Sequence, residues 1–465
     1  MPQTDPSPKD LSRRPTVAVV GAGFSGVMTA LHLLRAPNGP RVMLFDRKIP
    51  FARGAAYSTG NPDHLLNVRA GNMSAWPDQP LHFADWLAKV RETDPDPAAF
   101  ATRGDYGRYL QDLLAQAAEA ASAAGRLVIV PDDVVDAVRD GQGWRIELGV
   151  GRYRHVDALV LAIGNSPPAT PVGVDADLIA SGLYVADPWS WNGEATDTDA
   201  DAPILLIGTG LTMVDVALAC SRAVPGRKLV ALSRRGLLPN AHEGPPPQNL
   251  PCAPQGLSPL LLMQWLRRTA KDMGWRAAVD SLRPDTQTIW SSWSQKQRAQ
   301  FQRHARPYWD VHRHRLAPVI AERIRELTEG GSLNIVAGRI LSLTASAGEV
   351  VCRWAPRGVG AVHVQSFSRA VACTGPQTDL QDLRDPLLVS LRRQGLIRAD
   401  AMKLGVDCTQ SGRLIGESGD VTPGLYGLGP ITRGALWEII AVPDIRHQAP
   451  VVAAEVMSGL RASRA

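Results

Sequence analysis

Residues 16–34 read TVAVVGAGFSGVMTALHLL. Val17 to Val20 form an unbroken apolar run, as in a strand buried on both faces of a parallel sheet. Gly21, Gly23 and Gly26 follow as GxGxxG, and Ala30, Leu31 and Leu34 then continue at helical spacing. In such a strand–turn–helix unit the first glycine permits the tight turn. The second lets a pyrophosphate approach the backbone, and the third lets helix and strand pack closely. The helix N-terminus offers free N–H groups and a partial positive charge to phosphate. The next strand, RVMLFD, ends in Asp46, 25 residues beyond Gly21, with Arg47 beside it. An acid at that place accepts the ribose hydroxyls of an adenosine.

A second unit follows at 203–219, PILLIGTGLTMVDVALA. Its strand runs into Gly208, Thr209 and Gly210, and Leu211 and Thr212 open the helix; the third glycine is replaced by Met213 or a neighbour. The strand after it, KLVALSRRG, ends in Ser233, Arg234 and Arg235 instead of an acid. Arginines attract a ribose 2′-phosphate that an acid would repel, so the pattern favours NADP(H) over NAD(H). Two further strands end in glycine turns: DALVLAIGN, with Ala162 and Gly164, and RAVACTG, with Gly375. They resemble the strands that, in two-dinucleotide flavoproteins, return the chain from one nucleotide domain to the other.

The expected fold is α/β: two Rossmann-like dinucleotide-binding domains, the NADP domain inserted in the FAD domain, with a helical insertion. The expected division is a tail over 1–15 and a first FAD-binding part over 16–200. The NADP-binding domain begins over 201–255 and returns over 331–375, around a helical insertion at 256–330. Residues 376–465 complete the FAD-binding domain. Within the insertion the sequence predicts helices over 258–274, 293–309 and 317–330, rich in Leu, Trp, Gln and Arg. A helical cap of this kind excludes water from a reactive site, although a dimer surface would show the same composition.

Composition narrows the classes. In 465 residues, hydrophobic side chains make up 45% and charged ones 20%, which excludes global disorder. None of the five cysteines, Cys220, Cys252, Cys352, Cys373 and Cys408, forms a CxxC pair. That argues against a thioredoxin-type pair, a structural zinc site and a secreted disulfide framework, and it suits reduced thiols in a cytoplasmic protein. The net charge of +5 comes from scattered residues, 43 Arg against 7 Lys, without a basic block interleaved with aromatics; no nucleic-acid partner is expected. Arg13-Arg14 before an apolar run could pass for an export signal, but the glycines break that run and no small-residue cleavage site follows. No segment is long and apolar enough for a membrane span, and His304, His312 and His314 lack a metal-ligand pattern.

The blocks VAVVGAGFSGVMTALHLL, HLLNVRAGNMSAWPDQPLHFADWL, LLIGTGLTMVD, ALSRRGLLPNAH and LYGLGPITRGALWEIIAVPDIRHQA resemble the two-dinucleotide-binding flavoproteins. Within these, the chain is similar to the family loosely related to class B flavin monooxygenases and amino-acid N-hydroxylases. The resemblance spans nearly the whole chain after its first fifteen residues. It implies that Gly21, Gly23, Phe24, Ser25, Gly26 and Asp46 hold the ADP half of FAD. Asn67, Val68 and Met73 would lie along the flavin, Val135 near the adenine, and Gly429, Pro430 and Gly434 near the ribityl and pyrimidine end. The stretch GALWEIIAV, with Trp437, would form a helix offering N–H groups to the pyrimidine. Two departures stand out: Pro430 follows Gly429 where many such flavoproteins carry an Asp, and the FxGxxxHxxxW signature of Baeyer–Villiger enzymes is missing.

Asn67, Arg69, His242 and Glu438 are the catalytic candidates. Arg69 either anchors a substrate carboxylate or the nicotinamide, or pairs a nearby acid. His242 lies near the nicotinamide or in a solvated loop. Glu438 either bonds flavin or substrate, or is a helix-terminal charge. The resemblance implies an FAD-dependent, NADPH-consuming monooxygenase that hydroxylates a small amine or amino-acid-like substrate with molecular oxygen, through a flavin C4a-hydroperoxide. The alternatives are an NADPH-dependent reductase or dehydrogenase without oxygen insertion, and a flavin-bearing RNA-modification or regulatory factor. A homodimer is compatible with either enzyme reading.

Overall fold

Two separate parallel sheets carry the two glycine turns. A computed structural model describes residues 14–47, 49–123, 125–191, 202–244 and 250–463. The expected tail, up to residue 13, and the break at 200–201 lie outside the described residues. The first sheet has six strands in the order Arg413–Ile415, Val421–Gly427, Ala158–Leu161, Thr16–Val20, Arg41–Phe45, Leu127–Val130. All neighbours are parallel except the outer pair Arg413–Ile415 and Val421–Gly427. Thr16–Val20 is buried throughout, because strands flank it on both sides and helix Phe24–Arg35 covers it. That helix packs on the long helix Val442–Ala462, which closes the same layer. A small antiparallel sheet, Val134–Asp140, Gly143–Leu148 and Tyr153–Val156, stands beside it.

The second sheet has seven strands in the order His363–Phe367, Glu349–Pro356, Leu333–Ser346, Leu229–Ser233, Ile204–Ile207, Arg369–Ala372, Tyr184–Val185. Its inner pairings are parallel and its outer meander is antiparallel. The chain enters this sheet at Tyr184, well before the expected break at 200. A two-residue strand carries too little pattern to be read locally. The chain leaves at Arg369–Ala372, within the expected return.

Helix Pro318–Glu329 was expected in the insertion. It instead packs on the second sheet, with Ile320 and Ile324 in that domain's core. It is the crossover between the parallel strands Leu229–Ser233 and Leu333–Ser346. The helical body therefore interrupts a βαβ crossover just before its helix. Its neck is held by backbone bonds from Asn240 N to Val311 O at 2.9 Å, Leu316 N to Asn240 O at 2.8 Å and His242 N to Leu316 O at 2.9 Å.

Inside the body, Pro259–Met273 forms as expected, and Trp275–Ser281 and Thr286–Ser292 are added. The expected single helix over 293–309 is instead Gln295–Gln300, a π-helical turn Phe301–Ala305 and helix Arg306–Arg313. Ser294 starts it with a capping box to Gln297. Pro307 has no N–H to continue the ladder, and the wider turn absorbs the missing rung.

At Gly26 an added Cβ would run into the Gly21 carbonyl. Gly26→Ala is expected to cost at least about 2 kcal/mol, because neither backbone can yield. Thermal melting of the purified protein checks this, and an unchanged Tm would contradict the close helix–strand packing.

Candidate functional site

The C-terminal ends of the parallel strands in both sheets open on one cleft of about 1400 Å³. Both glycine turns form its walls. Gly21 has φ +99° and Gly208 φ +121°, conformations that a side chain rarely adopts. A Cβ at Gly21 would strike the Ala162 carbonyl, and one at Gly208 would lie 2.5 Å from the Cys373 carbonyl. Each turn thus tucks under the end of the strand that returns the chain.

The helices that follow, Phe24–Arg35 and Leu211–Ala223, begin at Gly23 and Gly210 without a side-chain cap. A Cβ at Gly210 would meet nothing within 4 Å. Uncapped N–H groups beside open space suit two pyrophosphates. The residues present therefore fit two dinucleotides.

The cleft brings together Gly21, Gly23, Asp46, Arg47, Asn67, Val68, Met73, Ala162, Gly164, Gly208, Thr209, Gly210, Leu211, Thr212, Ser233, Arg234 and Gly375. Asp46 Oδ2 accepts from Ala22 N at 2.8 Å, which fixes the acid against the first glycine turn. Arg47 Nη1 pairs with Asp133 Oδ2 at 3.2 Å; Asp132, Asp133 and Val134 line the cleft and Val135 does not. Ser233 Oγ lies 2.9 Å from Thr209 Oγ1 and accepts from Gly236 N at 3.0 Å, so it braces the second turn.

Other expected residues stand behind the wall. Phe24, Ser25 and Gly26 are buried in the first helix. Gly429 packs on Ser25, where a Cβ would sit 2.5 Å from Oγ, and its N–H donates to Gln448 Oε1 at 2.8 Å. Pro430 follows it outside the cleft lining. The Gly434 carbonyl accepts from Trp290 Nε1 at 2.8 Å. Arg235 holds its guanidinium 5.7 Å from the Tyr308 ring and does not line the cleft.

The helix expected over GALWEIIAV is broken. Arg433–Leu436 is one short turn, and Trp437 then takes φ 49° and ψ −82°, which no helix tolerates. The chain restarts as Val442–Ala462, uncapped at Ala441, and it is Ile440, Ala441 and Val442 that line the cleft. Trp437 turns into a separate cavity of the helical body.

The four catalytic candidates divide. Asn67 is on the cleft wall, and its carbonyl accepts from His242 Nε2 at 3.1 Å. His242 itself packs on Phe100 outside the cleft, and burial lowers its pKa to about 4. Arg69 is spent on the Ala98 carbonyl at 3.0 Å and on the Gly244 carbonyl, outside the cleft lining. Glu438 is 1% exposed and accepts from Trp309 Nε1 at 2.7 Å. Arg313 Nε stands 3.6 Å and His314 Nε2 3.8 Å from its other oxygen. Burial alone would raise this carboxyl, but His314, Arg313, the Trp309 indole and Arg433 together hold it below its usual range.

Several cleft residues were not among the expected site residues. Arg103 pairs with the buried Asp215 at 2.6 Å, beneath the second helix N-terminus. An acid on the buried face of LTMVDVALA is the one sequence signal for such a partner. Arg306, His314 and Arg433 lie on the wall next to Glu438. Arg339 reaches the cleft because its strand pairs in parallel with Leu229–Ser233, Ala337 opposite Ser233, which sets Arg339 on the same edge as Arg234.

Residues 18–166 match a family model described as FAD-NAD(P)-binding. No protein of curated function matches the chain in sequence. Among solved structures, L-lysine 6-monooxygenase from Pseudomonas syringae superposes with a TM-score of 0.65 at 13% identity, covering 96% of this chain and 100% of that one. The ornithine N-hydroxylase of Kutzneria sp. 744, solved with reduced FAD, NADP+ and L-ornithine, gives 0.64 at 13%, covering 96% and 99%. A bacillithiol disulfide reductase from Bacillus cereus gives 0.56 at 12%, covering 96% and 99%. At these identities the likeness is one of fold. Among the described residues no helix is long and apolar enough to cross a membrane, and no group of three or more His, Cys, Asp or Glu is placed to hold a metal.

His242 is favoured neutral in the folded chain, at about 4 against an ordinary 6.5. The stability this contributes is full above pH 6.5 and drains as pH falls toward 4. In His242→Gln, whose amide can still donate to the Asn67 carbonyl, Tm is expected to fall less over that window than in the wild type. Parallel melting curves across the window check it; identical slopes would refute the assignment.

Proposed function

We propose that the protein is an FAD-dependent, NADPH-consuming oxidoreductase, a monooxygenase that hydroxylates a small nucleophilic, amine-type substrate. One observation carries the reading: two uncapped helix N-termini, each after a positive-φ glycine, face the same cleft. Two dinucleotides bound there would meet by their reactive ends. The solved structures of similar fold include hydroxylases of ornithine and lysine, which supports oxygen transfer to nitrogen. When bound, the flavin supplies the redox chemistry, taking a hydride equivalent and passing electrons to oxygen.

The chain's own groups do the rest. Backbone N–H groups at Gly23 and Gly210 would hold the pyrophosphates, and Asp46 the adenosine ribose. Arg234 and Arg339 would hold the 2′-phosphate between the two strand ends. The uncapped start of Val442–Ala462 offers a positive end where the flavin ring gains negative charge. His314 lies on the wall with Nε2 3.8 Å from Glu438, and burial lowers its pKa and favours the neutral ring. The helical body screens this end of the cleft from water. Five free cysteines support a cytoplasmic setting.

The reductase reading has one observation to answer. Cys373 lines the cleft, as a disulfide exchanger would require. Burial pushes its thiol up, however, and a buried thiol without an activating base is inert.

Anaerobic mixing with NADPH and then with NADH tests the function. NADPH is expected to bleach the bound flavin quickly and NADH slowly. In Arg234→Ala and Arg339→Ala the half-saturating NADPH concentration is expected to rise about tenfold, with NADH little changed. Equal losses for both coenzymes would sink the 2′-phosphate role. Readmitting oxygen with an amine present should couple NADPH use to hydroxylated product; full conversion to hydrogen peroxide with every amine would favour the reductase.

A further inference from the structure

Among the described residues one histidine lines the dinucleotide cleft, His314. It caps the C-terminal end of helix Arg306–Arg313, and its backbone N–H donates to the Asp310 carbonyl at 2.9 Å. Both of its neighbours in the chain are anchored. Arg313 stands 3.6 Å from Glu438 and 3.7 Å from Asp444, and Arg315 meets the two oxygens of Asp280 at 3.0 Å each. The ring is therefore held at one place on the wall, with open cleft in front of it.

Its two nitrogens have different surroundings. Nε2 is enclosed and makes no hydrogen bond; it stands 3.8 Å from Glu438 Oε2, which is likewise enclosed and without one. A proton on Nε2 points an N–H at that carboxylate and leaves the lone pair on Nδ1. The side chain is nonetheless 18% exposed, so the cleft reaches the opposite edge of the ring. That edge carries Nδ1, which is not enclosed and which no hydrogen bond claims among the described residues. A histidine backed by a buried carboxylate is the arrangement of a base whose tautomer is fixed and whose acquired charge is stabilised. Contacts of this kind tighten from such a length when a ligand is bound.

The charges around the ring suit that role. Burial keeps it neutral at rest, helped by Arg313 and Arg433 and opposed by Glu438 and Asp310. A proton gained at Nδ1 is then met by Glu438 and by the negative end of the helix. The Asp310 carboxylate, one turn earlier, is tied to Arg306 Nε at 3.4 Å. Arg433 is 7% exposed, lines the same wall and has no ion pair among the described residues. An unpaired guanidinium makes an ammonium nearby more acidic. The place is also right: Glu438 lies just before Ala441, where the uncapped helix Val442–Ala462 starts at the flavin-ring end of the cleft.

We propose that His314 is the base that takes a proton from the substrate's ammonium group at Nδ1, with Glu438 as the positioning residue that fixes the ring and receives its charge. Only the free amine has a lone pair with which to attack oxygen. In this step one N–H bond of the ammonium breaks, its electron pair stays on nitrogen, and an Nδ1–H bond forms. Overall, the ammonium, molecular oxygen and the hydride of NADPH give the hydroxylamine, water and NADP+. No further proton is needed, so the one that His314 takes ends in the water. The proposal rests on the monooxygenase reading and supplies that reading with its base.

The test uses the FAD-loaded enzyme with NADPH, oxygen and four amines: L-lysine, L-ornithine, cadaverine and benzylamine. Hydroxylated amine and hydrogen peroxide are measured separately. Wild-type product formation is expected to change little between about pH 7 and 9 and to fall at lower pH, where the ring protonates. In His314→Gln, product at about pH 7 should drop at least about a hundredfold, with hydrogen peroxide in its place, and should climb about tenfold per pH unit as free amine appears in solution. Anaerobic bleaching by NADPH, which needs no base, should stay within about twofold, with FAD content and Tm retained. Glu438→Gln should lower the product plateau about tenfold and move the low-pH fall to more acidic pH, because the carboxylate raises the pKa of the ring. A purely structural loss would lower the plateau without moving it. Free imidazole should restore product in His314→Ala and not in Glu438→Gln. Wild-type product yield in His314→Gln, a pH profile in that variant as flat as the wild type's, or bleaching slowed in step with lost product would each overturn the proposal. So would a wild-type enzyme that NADPH bleaches but that hydroxylates none of the four amines. Flavin that NADPH fails to bleach would instead count against the oxidoreductase reading itself.

Discussion

Peptide dipoles aimed at one space set the plan of this chain. Three helices, beginning near Phe24, Leu211 and Val442, point uncapped N-termini into the same cleft. An Asp or Ser at Gly23 or Gly210 would satisfy those N–H groups internally and remove the reason for an anion to bind. The parallel sheets serve this convergence, because parallel strands put all following helix starts on one edge. The positive-φ glycines let each turn lie against its neighbouring strand, so the edges of the two sheets face each other across a space the size of two nucleotides.

Charge is then sorted by depth. Arginines at strand ends reach open cleft, whereas Arg313 and Glu438 are buried as a pair and Arg103, half-buried on the cleft wall, pairs with the buried Asp215. A buried pair is costly to break, because the surviving charge has no water to turn to. These pairs therefore hold the cleft's floor and back wall more firmly than surface contacts could. Glu438, sequestered behind Trp309, holds the position of the wall helix rather than reaching into the cleft.

The two glycine units and their order were legible in the sequence because each is a local pattern: apolar run, turn, helix. The places of Asp46 and Arg234 on the cleft were legible for the same reason, as fixed distances along one unit. Arg339 was not, because only the pairing of Ala337 with Ser233 brings it beside Arg234. Trp437 was read as part of a continuous helix. A break made by a positive φ at a tryptophan carries no glycine or proline to announce it. Arg69 and His242 sit near the cleft in sequence terms, but backbone carbonyls across long stretches of chain claim both side chains. Helix 318–329 has the right pattern, but periodicity does not say which sheet its apolar face will meet.

The neck at Asn240, Val311 and Leu316 has a broader consequence. Both ends of the helical body leave the second sheet through one clasp of backbone bonds, so the interior between them is covalently and mechanically a loop. The loop is pinned at its far side as well, by Trp290 Nε1 on the Gly434 carbonyl, Trp309 Nε1 on Glu438 and Arg313 beside Asp444. An insertion in one nucleotide domain thus serves as a strut to the other, and any shift of its helices is felt on the stretch of cleft wall that Arg306 and Asp310 supply.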